Sequence, residues 1–233
     1  MIFRGWTTDP ASSKVKYSAG DVLPYDSREN VVVLYAVWEK IAAPDYTLLA
    51  GMTVPGCDDK ALRIEWTRVQ GANGYDVFFV KCGMSFKLKQ TVSANISRIR
   101  VSGLDKRTCY KAYVKAWKKV NGKKVYIGDA SPEVHAITGG YNSKYCNAKS
   151  VKLNKSSLTM KAGNSETLKA TVKKVKSDRE LLNHTAKVRY YSSDTNVATV
   201  NENGKVTAVA EGKCRIWAIA TNGVRTSAAV TVK

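Results

Sequence analysis

Residues 189–212 read RYYSSDTNVATVNENGKVTAVAEG, and this stretch decides the fold. Val197 and Thr199 fall on one side of an extended chain and Ala198 and Val200 on the other, the period-two alternation of a half-buried strand. Asn203-Gly204 then supplies the positive-φ positions of a tight hairpin turn. Lys205 to Ala210 alternates again, and Glu211-Gly212 turns the chain once more. The same pattern continues on both sides. Ile216, Ala218 and Ala220 alternate with Arg215, Trp217 and Ile219, and Asn222-Gly223 turns into a closing strand over 227–232. Upstream, Val151 with Leu153, then Leu158, then Leu168, Ala170 and Val172 form further inward rows. The pattern loosens only in KKVKSDRELLNHTAK, where Ser177 and Glu180 have capping-box spacing and predict a short helical turn near Asp178 to Leu182.

The ordered elements Y-x-S-S-D, V-A-T-V, N-G-K-V-T-A and E-G closely resemble the bacterial Ig-like group 2 module, a β-sandwich of bacterial surface proteins. The resemblance runs from about Lys149 to Lys233 and sets the last predicted domain at 148–233. Gly139 to Lys144 is polar, glycine-containing and aperiodic, and reads as the linker before it.

Between 46 and 139 the chain gives about seven short strand signals, the pattern of an Ig-like sandwich. Leu62, Ile64 and Trp66 share one face, Tyr75 to Val80 follows the turn Gly71-Ala72-Asn73-Gly74, and Ala112, Val114 and Ala116 recur at period two. A strand is also predicted over 46–54. L-x-K-x-T-x-Y at 104–110, with Trp66 upstream and G-Y-x-V between, resembles a fibronectin type III domain, with Arg107 where that family usually has proline. The resemblance implies that Tyr110 is the structural corner tyrosine, its ring in the core and its hydroxyl on nearby backbone. It also implies that the strands carrying Phe78 and Tyr113 are antiparallel neighbours. Cys109, Lys111, Tyr113, Lys115 and Trp117 would then face outward with Phe78, Val80 and Cys82. Such a basic and aromatic face either binds a glycan or acidic polymer or is covered by an adjacent loop or domain. The same neighbourhood brings Cys82 near Cys109 and raises a disulfide between them.

The first 40 residues contain F-x-G-W-T-T, Y-x-x-G-D and L-Y-A-V-W, with Leu34, Ala36 and Trp38 on one face of a β-prone run. This resembles the second half of the Listeria–Bacteroides repeat, a small β-grasp-like surface module, without its opening strand. A unit of about 40 residues rarely folds alone without a disulfide or metal. It is expected to dock on a neighbour or leave an open sheet edge, a template for self-association. The predicted class is therefore all-β: tandem Ig-like sandwiches, fibronectin type III-like and bacterial Ig-like, preceded by a partial β-grasp-like repeat at 1–40.

Composition allows a buried core, with 44 % apolar residues, and no run of about 18 apolar residues predicts a membrane span. No signal-peptide pattern is present in the first residues. The net charge of +19 is concentrated beyond residue 43 and favours anionic partners such as wall polymers, acidic glycans, lipid head groups or nucleic acid. No nucleic-acid motif accompanies it, so no specific nucleic-acid partner is expected. The five cysteines, Cys57, Cys82, Cys109, Cys146 and Cys214, lack C-x-x-C spacing and argue against a zinc site or a disulfide framework. His135 and His184 lie in different predicted domains, and no nucleophile motif, phosphate loop or carboxylate group is recognisable. No catalytic residue, metal or cofactor is expected. The resemblances imply an extracellular, wall-associated region of a bacterial surface protein, acting as spacer or adhesion modules on cell-wall or host-surface polymers. The alternatives are a carbohydrate- or anionic-polymer-binding module and, more remotely, an accessory region of a secreted hydrolase.

Overall fold

A computed structural model describes residues 2–12, 14–23, 31–39, 48–183 and 186–233. The chain divides into two units, Met1–Ala43 and Pro44–Lys233. In the first, β1 (Ile2–Thr7) pairs antiparallel with β2 (Tyr35–Glu39), with a register shift between Phe3 and Gly5. Trp6 also bridges to Tyr17, and Val37 is buried while Ala36 is exposed.

The second unit begins with β3 (Ala50–Thr53), β4 (Leu62–Trp66), β5 (Gly74–Lys81), β6 (Leu88–Ser93), β7 (Arg98–Val101), β8 (Cys109–Val120), β9 (Lys123–Tyr126) and β10 (Val134–Ile137). Of the predicted strand over 46–54, Tyr46 and Thr47 lie outside the described residues. Strands β3-β4-β7 form one sheet, and β10-β8-β5-β6, with β9 on β8, form the other. The inner faces enclose a core that includes Met52, Ile64, Tyr75, Val77 and Val114. Alternation in β8 makes this layering clear: Tyr110, Ala112, Val114 and Ala116 are buried and the intervening residues are half-buried. Ser131 keeps the ladder satisfied where β9 gives way to β10, exchanging bonds with Val114 at 2.8 and 3.0 Å.

The chain continues through β11 (Tyr145–Cys146), β12 (Ala148–Leu153), β13 (Ser157–Met160), β14 (Ser165–Thr167), β15 (Ala170–Lys174), β16 (Glu180–Leu181), β17 (Val188–Ser192), β18 (Ala198–Val200), β19 (Lys205–Ala208), β20 (Gly212–Ala220) and β21 (Arg225–Val232). A sheet of order β13-β21-β20-β17 faces the β14-β19-β18 sheet across Leu168, Val206, Ile216 and Val230. The β18–β19 hairpin turns at Asn203-Gly204, where Gly204 has φ 78°. A Cβ there would lie 2.3 Å from the Leu168 carbonyl oxygen, so glycine is required for packing as well as for the turn.

Two expectations need correction. The segment near Asp178 forms a turn and then β16, which pairs in parallel with β11, rather than a helical turn. Capping spacing cannot hold a helix whose next residues are committed to strand pairing. The predicted linker is also part of the folded body. Thr138 and Gly140 are buried, and Gly139 and Gly140 have φ of 69° and 85°. Their positive φ values give glycine a structural use here that composition reads as flexibility.

Candidate functional site

The outward face of the β10-β8-β5-β6 sheet is built by the alternate residues of β8. Tyr113 stacks on Phe78 at 4.6 Å between ring centroids, and Phe86, from the turn after β5, meets Tyr113 edge-on at 4.6 Å. Lysines stand over the rings: Lys111 is 4.2 Å from the Phe86 centroid and Lys115 is 4.9 Å from that of Tyr126. Trp117 lies against Gly74, where a Cβ would come within 2.4 Å of the indole, and Lys124 stands 5.0 Å above it. The structure thus brings Phe78, Lys111, Tyr113, Lys115 and Trp117 onto one sheet face. Their rings and ammonium groups already engage one another and the Phe86 turn.

Asp76 lies beneath this face at 1 % exposure. Its carboxylate accepts from the Tyr126 hydroxyl and Thr91 Oγ1, both at 2.7 Å, and pairs with the Lys124 ammonium. Burial pushes its pKa up, but donation by Lys124, Tyr126 and Thr91 outweighs this and holds the carboxyl below its ordinary range. The Tyr126 phenol is pushed up to about 12, first by its bond to the Asp76 carboxylate and then by burial.

At the other end of the sheet, three residues distant in sequence converge. Cys82 follows β5, Cys109 opens β8 and His135 lies in β10. The Cys82 N–H donates to the Cys109 carbonyl at 2.9 Å, and Cys82 Sγ lies 3.7 Å from His135 Nδ1. Both sulfurs and an imidazole nitrogen fall within 4.8 Å of one another. Both cysteines are present as thiols, and the Cys109 pKa is raised by its hydrogen bond with Cys82 and by burial. The sequence argument against a zinc site saw only spacing along the chain, whereas these side chains come from the end of β5 and from β8 and β10, next in order in the sheet. Among the described residues, these three form the one His/Cys/Asp/Glu group close enough to share an ion; His184 lies outside those residues.

Tyr110 is buried, stacks on Phe79 at 5.1 Å, and its hydroxyl accepts from the Asp105 N–H at 3.0 Å. Sequence reading did not find the junction between the two sandwiches. Asn147, buried next to β11, accepts from the Ile137 N–H at 2.8 Å and donates to the Ile137 carbonyl at 2.9 Å. The β20–β21 turn carries Asn222 and Gly223 into the first sandwich. The Met52 N–H donates to the Asn222 carbonyl at 2.7 Å, and the His135 N–H to that of Thr221 at 2.8 Å. Gly223 has φ 83°, and a Cβ on it would lie 2.4 Å from both the Ala50 oxygen and the Gly51 Cα. Beside this contact runs a groove of about 590 Å³ lined by Glu65, Trp66, Arg98, Trp217 and Arg225. Burial lowers the Arg225 pKa, and the Glu65 charge opposes that shift. Asn-Gly is an ordinary hairpin signal, and nothing local marks this turn as an interface.

Residues 147–232 match the bacterial Ig-like domain (group 2). The matched domain begins at Asn147, the residue that joins it to Ile137. No curated protein matches the chain in sequence. Among solved structures, a fibronectin type III domain from a human protein aligns at 15 % identity with a TM-score of 0.29, covering 39 % of this chain and 72 % of that one. A C-terminal 282-residue fragment of intimin, solved in complex with the intimin-binding domain of the translocated intimin receptor, aligns at 17 % identity with a TM-score of 0.30. That alignment covers 80 % of this chain and 63 % of the fragment. The chain is an all-β protein with an Ig-like sandwich over the matched residues. Among the described residues no helix is long and apolar enough to cross a membrane.

Proposed function

We propose that the chain is a non-catalytic region of an extracellular, wall-associated bacterial surface protein, in which two sandwiches form a stiff spacer that also offers adhesive surface. In this reading 1–40 is a partial Listeria–Bacteroides-type repeat, 46–139 a fibronectin type III-like module and 148–233 the bacterial Ig-like module. The observation carrying it is the buried junction: Asn147 holds both backbone groups of Ile137, and Gly223 packs against Ala50 and Gly51. Independent beads on a string do not need such a contact. The test is orientation by residual dipolar couplings over 50–230. One alignment tensor for both sandwiches supports the spacer, and two unrelated tensors overturn it.

A second reading, a carbohydrate- or anionic-polymer-binding module, is supported by the cluster of lysines and rings around Tyr113 and Tyr126. A saturable binding curve for a purified wall polymer, lost on Trp117→Ala in a folded variant, would favour it over the spacer alone.

A further inference from the structure

We propose that Cys82, Cys109 and His135 form a binding site for a borderline-soft divalent ion, zinc, at the end of the first sandwich that adjoins the second. The donor set of two sulfurs and one imidazole suits Zn²⁺ and disfavours the hard ions Ca²⁺ and Mg²⁺. The spacing suits it too. Tetrahedral zinc, with Zn–S near 2.3 Å and Zn–N near 2.0 Å, sets its sulfur and nitrogen ligands roughly 3.5 Å apart. Cys82 Sγ and His135 Nδ1 are 3.7 Å apart, and all three ligand atoms lie within 4.8 Å.

The backbone under the site is already fixed. His135 pairs with Lys111 and Ile137 with Cys109 across β10 and β8, while the Cys82 N–H is bonded to the Cys109 carbonyl. Little chain entropy is therefore lost on binding. His135 directs Nδ1 at the sulfur, and the Glu133 carboxylate lies 3.6 Å from its Nε2, a negative charge beside the imidazole without a hydrogen bond to it. Cys82 and Cys109 are only half-buried, which leaves a fourth position for water. On binding, each thiol releases its proton to solvent, and two thiolates neutralise the ion. The ion would cross-link β5, β8 and β10, and through the His135–Thr221 hydrogen bond it would stiffen the junction with the second sandwich.

The test uses the whole chain, reduced and stripped of metal with a chelator, titrated with Co²⁺ as a spectroscopic probe. One equivalent should produce a thiolate-to-cobalt charge-transfer band that Zn²⁺ bleaches, and Zn²⁺ should raise the melting temperature. The band should persist in Cys57→Ser and vanish in Cys109→Ser and Cys82→Ser. Each variant's melting curve identifies one that has unfolded, and half-exposed Cys82 keeps the test usable if Cys109→Ser does. The absence of a band in the parent chain, or a band surviving in both serine variants, overturns the site. So does a native protein that holds no metal and whose Cys82 and Cys109 alkylate only after reduction, since that outcome assigns the pair to a disulfide.

Discussion

Asp76 is a carboxylate under a sheet face, held there by three donors from β6 and β9. Its lowered pKa stabilises the fold at pH values above the ordinary carboxylate range near 4, and that contribution is lost as pH falls through the folded value. Tyr126 works in the opposite direction. Its raised value contributes fully below the ordinary phenol pKa near 10 and is lost as pH rises through about 12. Asp76→Asn should therefore return the Tyr126 titration toward the ordinary phenol value, as read by ultraviolet difference spectroscopy at alkaline pH. Lys124→Met should cost about 3 kcal/mol in urea denaturation, because it leaves a buried carboxylate without its cation. Its acid transition should also move to higher pH. At Tyr110 the hydroxyl serves one backbone donor, so Tyr110→Phe should cost about 1 kcal/mol, measured in the same way. The burial of Tyr110 was legible because the alternation around it is local. The Asp76 cluster was not, because Lys124 lies 48 residues away and only strand pairing brings the two together.

At the scale of elements, the strands were readable wherever one face is wet, as in β8, because alternation records that asymmetry in sequence. β10 conceals it. All four of its residues are buried, and its free edge is bonded by Asn147 and Thr221, so its pattern could not show that His135 faces two sulfurs. The junction turn was hidden for another reason: Asn222-Gly223 satisfies hairpin rules and interface rules together. Gly223→Ala should be destabilising by about 2 kcal/mol or more, since its φ is left-handed and the added methyl meets β3 backbone. Asn147→Ala should cost about 2 kcal/mol by orphaning the Ile137 amide and carbonyl. Differential hydrogen exchange should show the loss spreading to β3 and β10 in both variants, whereas an effect confined to the second sandwich would count against the junction as a shared element.

For the whole molecule, the sign and distribution of charge were legible from composition, while its use depends on geometry. A net charge of +19 predicts binding to anionic wall polymers that weakens steeply between low and high salt, measured by co-sedimentation with intact and polymer-stripped walls. Salt-resistant retention on one neutral glycan would instead favour a dedicated site on the aromatic face. The expected self-association of the N-terminal unit is a separate matter. Sedimentation velocity should show mass rising with concentration if its strand edge pairs between copies, and a constant monomer mass would remove that idea.

The last sandwich also has a directional property that follows from β13. That strand runs parallel to β21, with Ser157 to Met160 opposite Ala229 to Val232, and the Lys233 N–H closes the ladder on Met160 at 3.0 Å. In a parallel pair the hydrogen bonds are evenly spaced and slanted along the strands. Tension drawn through β13 at one end and the tail of β21 at the other slides the strands lengthwise past each other. The bonds then share the load together instead of opening one by one as in a pulled hairpin. A module wired in this way yields to tension abruptly and at high force, which is the behaviour required of a tether that must hold while its cargo is tugged.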